Sequence, residues 1–462
     1  MTLEVTPEML ARYDRPGPRY TSYPTAVEFG PGFGPEDHRA RLVAAAAKEG
    51  EPLSLYVHLP FCERRCSFCG CHVVVARRPG VATAYLEHLV AEADLVATVL
   101  GGRRRLVQYH WGGGTPTFFS PDRIEELHGV LTERFVVLPD AEVAIEVDPR
   151  VTTPEHLQVL RRLGFNRLSM GVQDLDPRVQ ELIGRGQTWE ETRELHEEAR
   201  RLGFASINVD LIYGLPGQSV ASFGETLERV VALRPDRLAV YSFAYLPRVR
   251  PNQRRIPAEH LPGRDLKFSL LAQARRILGD AGYRSIGMDH FALPDDELAR
   301  AYDEGTLSRN FMGYTTRRGT EVVALGTSGI SDIGGAYAQN HKRLASYLAS
   351  VERGELPVER GVALGPDDLL RRYVITELMC NAAVAFADVE ERFAVRFAAY
   401  FAAELAALTG PGGLVAEGLV TVDDGAIRAT PLGAVFIRNV AMTFDAYRGE
   451  RAGRGVTFSR TV

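Results

Sequence analysis

Short β-rich runs alternate with longer helical patterns through the first two thirds of the chain, and this alternation limits the fold more than any single residue does. SLYVHLP from Ser54, LVQYHW from Leu106, VAIEV from Val143, RLSMGV from Arg167, SINVDLIY from Ser206 and RLAVYSF from Arg237 read as strands. Helical patterns separate them. In TAYLEHLVAEADLVATVL, for example, Leu86, Leu89, Val90, Ala93 and Ala97 recur at helical intervals. The form RRLGF or RLGF ahead of a strand reads as a helix closed by Gly at its C-terminal cap. Such an order demands a parallel sheet with right-handed crossovers. About six units predict an open doubly wound sheet or part of a β/α barrel, and both gather ligands at the C-terminal ends of the strands. The polar and Gly-rich segments fall at those exits: a cysteine loop, GGGTP, EVDP, GVQD and DLIYGLPGQ.

From about residue 361 the pattern changes to amphipathic helices followed by a hairpin-like stretch and a further helix, a winged-helix-like arrangement. With 462 residues the chain has room for two or three full cores. We expect an N-terminal arm over 1–50, a β/α unit over 51–360 and a mainly helical C-terminal domain over 361–462. The arm centres on GPRYTSYPTA, too rich in Pro, Tyr and Thr for a regular helix, and it serves either as a linker or as a cover for a site. The formal net charge of −5 and the lack of a basic recognition helix argue against a nucleic-acid partner. No basic run followed by an apolar segment opens the chain, and no uncharged apolar stretch reaches spanning length, so neither a signal peptide nor membrane insertion is expected. Five cysteines in a chain this long do not make a disulfide scaffold, and a cytoplasmic location follows as the expectation.

Four of those cysteines stand in CERRCSFCGC, at 62, 66, 69 and 71. Zinc would take all four, or His72 in place of one, although the last pair is unusually tight and no partner knuckle follows. A disulfide pair is disfavoured by compartment. Three thiolates on a cubane iron–sulfur cluster leave one iron open, which suits a centre that must bind something. In HWGGGTP the missing side chains let a backbone approach a ligand; no Lys-Ser/Thr follows and the GxGxxG spacing is absent, so it is not a phosphate loop. Glu146, at a strand end, either accepts from a ribose or amine or caps a helix. Gln173, Arg185 and Asp210 lie on or just beyond strand exits, as ligand contacts or as members of fold-stabilising ion pairs.

The spacing of Cys62, Cys66 and Cys69 is the signature of the radical S-adenosylmethionine (SAM) superfamily. Nearly the whole chain resembles the oxygen-independent coproporphyrinogen III dehydrogenase family of haem synthesis, through GPRYTSYPTA, LSLYVHLPFC, CSFCGC, HWGGGTPT, EVDPR, RLSMGVQD, NVDLIYGLPGQ, GMDHFALPDDELA and FSRTV. The resemblance implies an α/β fold, a partial (β/α)6-type radical SAM barrel with an arm and a winged-helix-like C-terminal domain. It implies one [4Fe-4S] cluster held by Cys62, Cys66 and Cys69, and two SAM molecules. Tyr56, Gly113, Glu146 and Ile330 match residues lining the first SAM; Phe68, Gly114, Thr115, Gln173, Arg185, Asp210 and Ala244 match positions near the second. The implied oxidoreductase converts coproporphyrinogen III to protoporphyrinogen IX by two oxidative decarboxylations. In each, a 5′-deoxyadenosyl radical takes a hydrogen from the β-carbon of a propionate, CO2 leaves and a vinyl group remains.

The same resemblance implies a monomer served by an unidentified reductant and an unidentified electron acceptor. Haem chaperones of related sequence generally lack the arm and the fourth cysteine of CGC, both present here, so the enzyme is favoured over a haem-trafficking protein. Cys71 is the one candidate for a role in the later chemistry. A relative in that family has Gln where this chain has Met312, which puts a polarizable thioether in place of a side chain that could hydrogen-bond the second SAM or the substrate. Arg19, Arg248, Arg250 and Arg309 are candidates for the carboxylates of the substrate.

Overall fold

A computed structural model describes residues 5–76, 78, 80–453 and 458–461. The first four residues of the arm, Arg77, Pro79, residues 454–457 and the final Val462 of FSRTV lie outside the described residues. All six expected strands form: β1 (Leu53–Leu59), β2 (Arg105–Gly113), β3 (Val136–Val147), β4 (Arg167–Gln173), β5 (Ser206–Tyr213) and β6 (Arg237–Ser242). Each pairs in parallel with the next. Helices Val81–Leu100, Pro121–Arg134, Pro154–Arg162, Trp189–Arg201 and Val220–Leu233 return the chain between them. Thr153, Thr188 and Ser219 each accept from the backbone amide three residues on, which starts three of these helices. Gly164 and Gly203, at φ +93° and +78°, end two of them just before β4 and β5.

Beyond β6 the chain adds β7 (Arg284–Ile286), β8 (His290–Ala292), a separate hairpin of β9 (Ser308–Asn310) and β10 (Gly313–Thr315), and then β11 (Val322–Leu325), β12 (Ile330–Ile333), β13 (Ala336–Asn340) and β14 (Val358–Ala363). Among the described residues one twelve-stranded sheet runs in the order β14-β13-β12-β11-β1-β2-β3-β4-β5-β6-β8-β7. Only β11, parallel to β1, extends the parallel set; the outer strands are antiparallel. The six parallel strands do not read as uniformly apolar runs, as strands buried on both faces usually do. One face carries Leu55, Val57, Trp111, Ile145, Met170, Val209 and Leu238, all buried in the main core beneath the helices. The other face carries Ser54, Tyr56, His58, Gln108, His110, Glu142, Glu146, Ser169, Asn208 and Asp210, and it lines the lumen.

The C-terminal part consists of helix Pro366–Asn381, a three-stranded antiparallel sheet of β15 (Ala383–Ala385), β17 (Ala426–Ala429) and β16 (Val420–Val422), and further short helices. Its core of Val374, Leu378, Phe397, Ile427 and Phe444 also takes in Tyr20 and Tyr23 of the arm. Tyr20 donates to Asp445 at 2.8 Å, and Arg438 donates to the carbonyls of Gly17, Pro18 and Arg460. Burial pulls the Arg438 guanidinium down to about 9, so these carbonyls hold a cation at the seam. No helix among the described residues is long and apolar enough to cross a membrane.

Candidate active site

The lumen is polar in two layers. At its base Ser54 donates to Gln108 at 3.1 Å, and Gln108 donates to Glu142 at 3.0 Å. Glu142 lies 3.6 Å from Arg167, which reaches Glu297 at 2.6 Å; Arg237 closes the layer on Asp296 and Glu297 at 2.8 and 2.9 Å. Two to four residues further along the strands, at the C-terminal rim, the same face offers different chemistry. The His72 carbonyl can only accept, so His58 donates to it through Nε2 at 3.1 Å, and Nδ1 is left to accept from the Tyr56 hydroxyl at 3.0 Å. The Tyr56 ring stacks on His110 at 5.9 Å, and His110 Nε2 lies 3.5 Å from Glu146 Oε1.

Glu146 also accepts from the Gly113 amide at 3.0 Å. A Cβ at Gly112 would stand 2.7 Å from its Oε1, and one at Gly113, with φ +115°, 2.5 Å from the His58 ring. The glycines of GGGTP are therefore needed to let the backbone lie against these side chains. Desolvation in the lumen opposes ionisation of Glu146, yet His110 and the Gly113 amide outweigh it and hold the carboxyl below its ordinary value. Across the lumen on β5, Asp210 accepts from Asn208 at 2.8 Å and from Ser169 at 3.4 Å. Burial, reinforced by the charge of Glu146, pushes it up to about 6.

The cysteine loop leaves β1 and folds over this rim. Cys62 Sγ lies 3.4 Å from Thr115 Oγ1, and the Thr115 and Gly114 amides donate to Phe61 and Leu59. Cys66 Sγ is approached by guanidinium groups of Arg150 at 3.8 Å and Arg185 at 3.9 Å. Both arginines pair with Asp148, whose carboxyl they hold below its ordinary value despite burial. Arg185 also donates to the Gly171 carbonyl at 2.6 Å, beside Gln173, whose φ of +72° turns the end of β4. On the far side, Asn252 donates to the carbonyls of Cys66, Ser67 and Cys69 at 2.9–3.2 Å, and Gln253 bridges the Phe68 and Ala244 carbonyls. Cys71 stands next to Cys69, its amide 3.4 Å from the Cys69 sulfur. A cavity of about 160 Å3 opens beside Cys62 and Thr115, lined also by Glu63, Arg64, Asp148 and Arg150.

The structure thus brings Tyr56, Gly113 and Glu146 together, Gly113 by a hydrogen bond to Glu146 and Tyr56 through its stack on His110. It gathers Cys62, Cys66, Cys69, Gly114, Thr115 and Arg185 about the loop, with Gln173 beside Arg185. Phe68 and Ala244 meet through Gln253, and Asp210 faces Glu146 across the lumen. Ile330 opens β12; the loop before it packs on β1, where a Cβ at Gly326 would fall 2.6 Å from the His58 carbonyl. Met312 sits half-buried in the β9–β10 hairpin. Of the four arginines considered for carboxylates, Arg19 and Arg309 lie beside Tyr241 on the lumen wall, Arg250 faces Cys69 and His72, and Arg248 is exposed.

Sequence reasoning missed His58, His110, Arg150, Asn252 and Gln253. His58 and His110 sit at alternate positions from Tyr56 and Gly112, so strand periodicity would have found them. The Asn252–Gln253 clasp carries no signal, because it depends on where a loop some 185 residues from the cysteines happens to return. Among the described residues no three His, Cys, Asp or Glu side chains converge as ligands of a single metal ion. Three thiols on one loop, with the guanidinium groups of Arg150 and Arg185 standing 3.8 and 3.9 Å from the Cys66 sulfur, form a donor set that fits an iron–sulfur cluster.

Residues 56–230 match the family model of the radical SAM superfamily, and residues 364–436 match that of the HemN C-terminal domain. An oxygen-independent coproporphyrinogen III oxidase of Pseudomonas aeruginosa is 45% identical over 448 residues, covering 96% of either chain. One of Escherichia coli is 46% identical over 454 residues, covering 98% of either. The solved structure of coproporphyrinogen III oxidase (HemN) from Escherichia coli superposes with a TM-score of 0.90 at 45% identity, over 97% of this chain and 100% of that one.

Proposed function

Because this chain belongs to the oxygen-independent coproporphyrinogen III oxidase family of the radical SAM superfamily, we propose a role for each group around its lumen. The enzyme oxidatively decarboxylates two propionates of coproporphyrinogen III to the vinyl groups of protoporphyrinogen IX. The observation that carries the site assignment is the three-thiol loop closing over the Tyr56–His110–Glu146 rim, with Arg150 and Arg185 at Cys66.

Cys62, Cys66 and Cys69 would hold the [4Fe-4S] cluster. When bound, the cluster and SAM supply the 5′-deoxyadenosyl radical that removes a hydrogen atom from the propionate β-carbon, after which CO2 and one electron depart. Glu146, ionised and fixed by the Gly113 amide, accepts from an amine or ribose hydroxyl of the first SAM, in a group completed by Tyr56, Gly113 and Ile330. Gly114, Thr115, Phe68, Gln173, Arg185, Asp210 and Ala244 serve a second SAM. The partial exposure of Asp210 toward the lumen and its distance from saturation by Asn208 and Ser169 support that role. Asn252 and Gln253 hold the loop by its carbonyls and leave the thiols free for iron.

The reductant and the electron acceptor are separate partners of unidentified nature. The large apolar side chains exposed among the described residues stand singly, as Val43, Val136 and Val249 do, which supports a monomer. Five unpaired cysteines suit a reducing cytoplasm. Anaerobic reconstitution with iron and sulfide tests the reading. SAM is expected to be cleaved and protoporphyrinogen IX to form when coproporphyrinogen III is added. SAM cleavage without that product would overturn it.

A further inference from the structure

The lumen wall opposite Glu146 is built from β6, β8 and the β9–β10 hairpin. Tyr241 lies on the lumen face of β6, two positions beyond Ala239, which pairs with Asp210. Its ring meets His290 edge-on at 5.9 Å, and His290 meets Tyr314 edge-on at 5.0 Å. The Arg309 guanidinium stacks 4.9 Å above Tyr314, and one of its terminal nitrogens donates to the Arg19 carbonyl at 3.1 Å. Its Nε is buried and has no hydrogen-bond partner. The arm brings a second cation to the same wall. Arg19 lies 6.0 Å over Tyr241, donates to the Ser242 carbonyl at 3.0 Å and stands 3.5 Å from Asp289.

Asp289 is the carboxylate nearest both arginines, and it is already engaged by His290 Nδ1 at 2.7 Å. Two guanidinium groups therefore share one carboxylate that a histidine also holds, in a chain whose net charge is −5. A buried N–H donor on a cation is costly to leave unmade, and guanidinium groups match carboxylates in geometry. The substrate of the reaction above has four propionates, of which two leave as CO2 and two persist in the product. We propose that Arg309, with Arg19 beside it, binds a propionate that the reaction leaves in place, and so fixes which side chains of the macrocycle face Glu146 and the cysteine loop. This inference rests on the reading of the chain as a coproporphyrinogen III oxidase. It also gives the arm a chemical role, because Arg19 carries the arm into the pocket.

The test compares wild type with Arg309→Met, Arg309→Lys and Arg19→Met. Formation of protoporphyrinogen IX by wild type checks the underlying reading separately. Arg309→Met is expected to raise KM for coproporphyrinogen III about tenfold or more, as loss of a charge-assisted hydrogen bond does, while KM for SAM stays as in wild type. Arg309→Lys recovers part of the loss and Arg19→Met shows a smaller one. A direct reading uses coproporphyrin III, the stable oxidised porphyrin with the same four propionates, titrated by fluorescence against its tetramethyl ester. Wild type should prefer the tetra-acid, and Arg309→Met should lose that preference. An unchanged KM for coproporphyrinogen III in both Arg309 variants overturns the proposal. A rise confined to KM for SAM overturns it too, by giving the cation to the methionine carboxylate instead.

Discussion

The base and the rim of the lumen are built from the same strands, on the same face, two to four residues apart, and they differ in how far their carboxylates are open to the lumen. At the base Glu142 is 9% exposed and held by Gln108 and Arg167; at the rim Glu146 keeps 42% of its side chain open to the lumen. Arg237 at the base has two carboxylates of its own, whereas Arg309 on the upper wall makes no ion pair among the described residues; a buried Nε without a hydrogen-bond partner occurs in both layers, at Arg167 and at Arg309. A closed polar network specifies and stiffens a barrel; an open one has capacity left for a ligand. Residue type alone does not separate the two, since each layer has a glutamate and an arginine.

The largest effect expected on either side of that comparison is at the loop above the rim. Replacing Cys62, Cys66 or Cys69 singly by Ala should abolish product formation and strip most of the iron, because no spare thiol stands at the required spacing. Iron and sulfide analysis after anaerobic reconstitution checks this, and a variant with full iron and full turnover removes that cysteine from the ligand set.

A base substitution should act on stability instead. Arg237→Met leaves the buried Asp296 without its cation, while Glu297 keeps Arg167, and the broken buried pair costs about 3–5 kcal/mol. Thermal melting should record that loss, while KM for SAM in the surviving folded enzyme stays unchanged. A large change in that KM would erase the distinction between the layers. Glu146→Gln reverses the pattern: SAM binding weakens about tenfold to a hundredfold, as when a hydrogen bond to a charged group is lost, with little change in melting temperature.

Asp210 sharpens the comparison through pH. Its folded value of about 6 lies above the ordinary carboxylate value, because burial and Glu146 disfavour its charge. Its contribution to stability is therefore full below the ordinary carboxylate range and is lost as pH rises through about 6. Asp210→Asn should flatten the difference in melting temperature between pH 5 and pH 7; an identical difference in the variant would show that the titration lies elsewhere. The smallest effect on the cluster is expected from Cys71→Ser, which should keep its iron and its electron paramagnetic resonance change on adding SAM, whatever happens to turnover. Loss of the signal would make Cys71 a ligand.

Deleting the arm is a poor way to ask what it does, since Tyr20 and Tyr23 belong to the C-terminal core and removing them damages that core. The Arg19 substitution leaves both tyrosines in place. The expectation of an irregular segment in GPRYTSYPTA agrees with the bends seen over residues 21–24 and the φ of +46° at Tyr20, but its packing against Asp445 and Arg438 came from residues more than four hundred positions away.

What the sequence determined by itself is local and periodic. The six strands, the Gly-ended helices and the placing of GGGTP and the cysteine loop at strand exits follow from alternation and from backbone constraints within a few residues. The cysteine spacing resembles that of the superfamily, and it was legible because three thiols on one loop are a local feature of the chain. Tertiary structure alone decided which polar residues are spent on one another and which remain available. Glu142 and Glu146 sit on the same strand, and only the strands and loops brought around them, Gln108 and Arg167 for one, His110 and the Gly113 amide for the other, make the first a structural plug and the second an open carboxylate. Hydrogen-bond satisfaction depends on positions within a few tenths of an ångström between segments far apart in the chain, and those positions exist only once the barrel has closed.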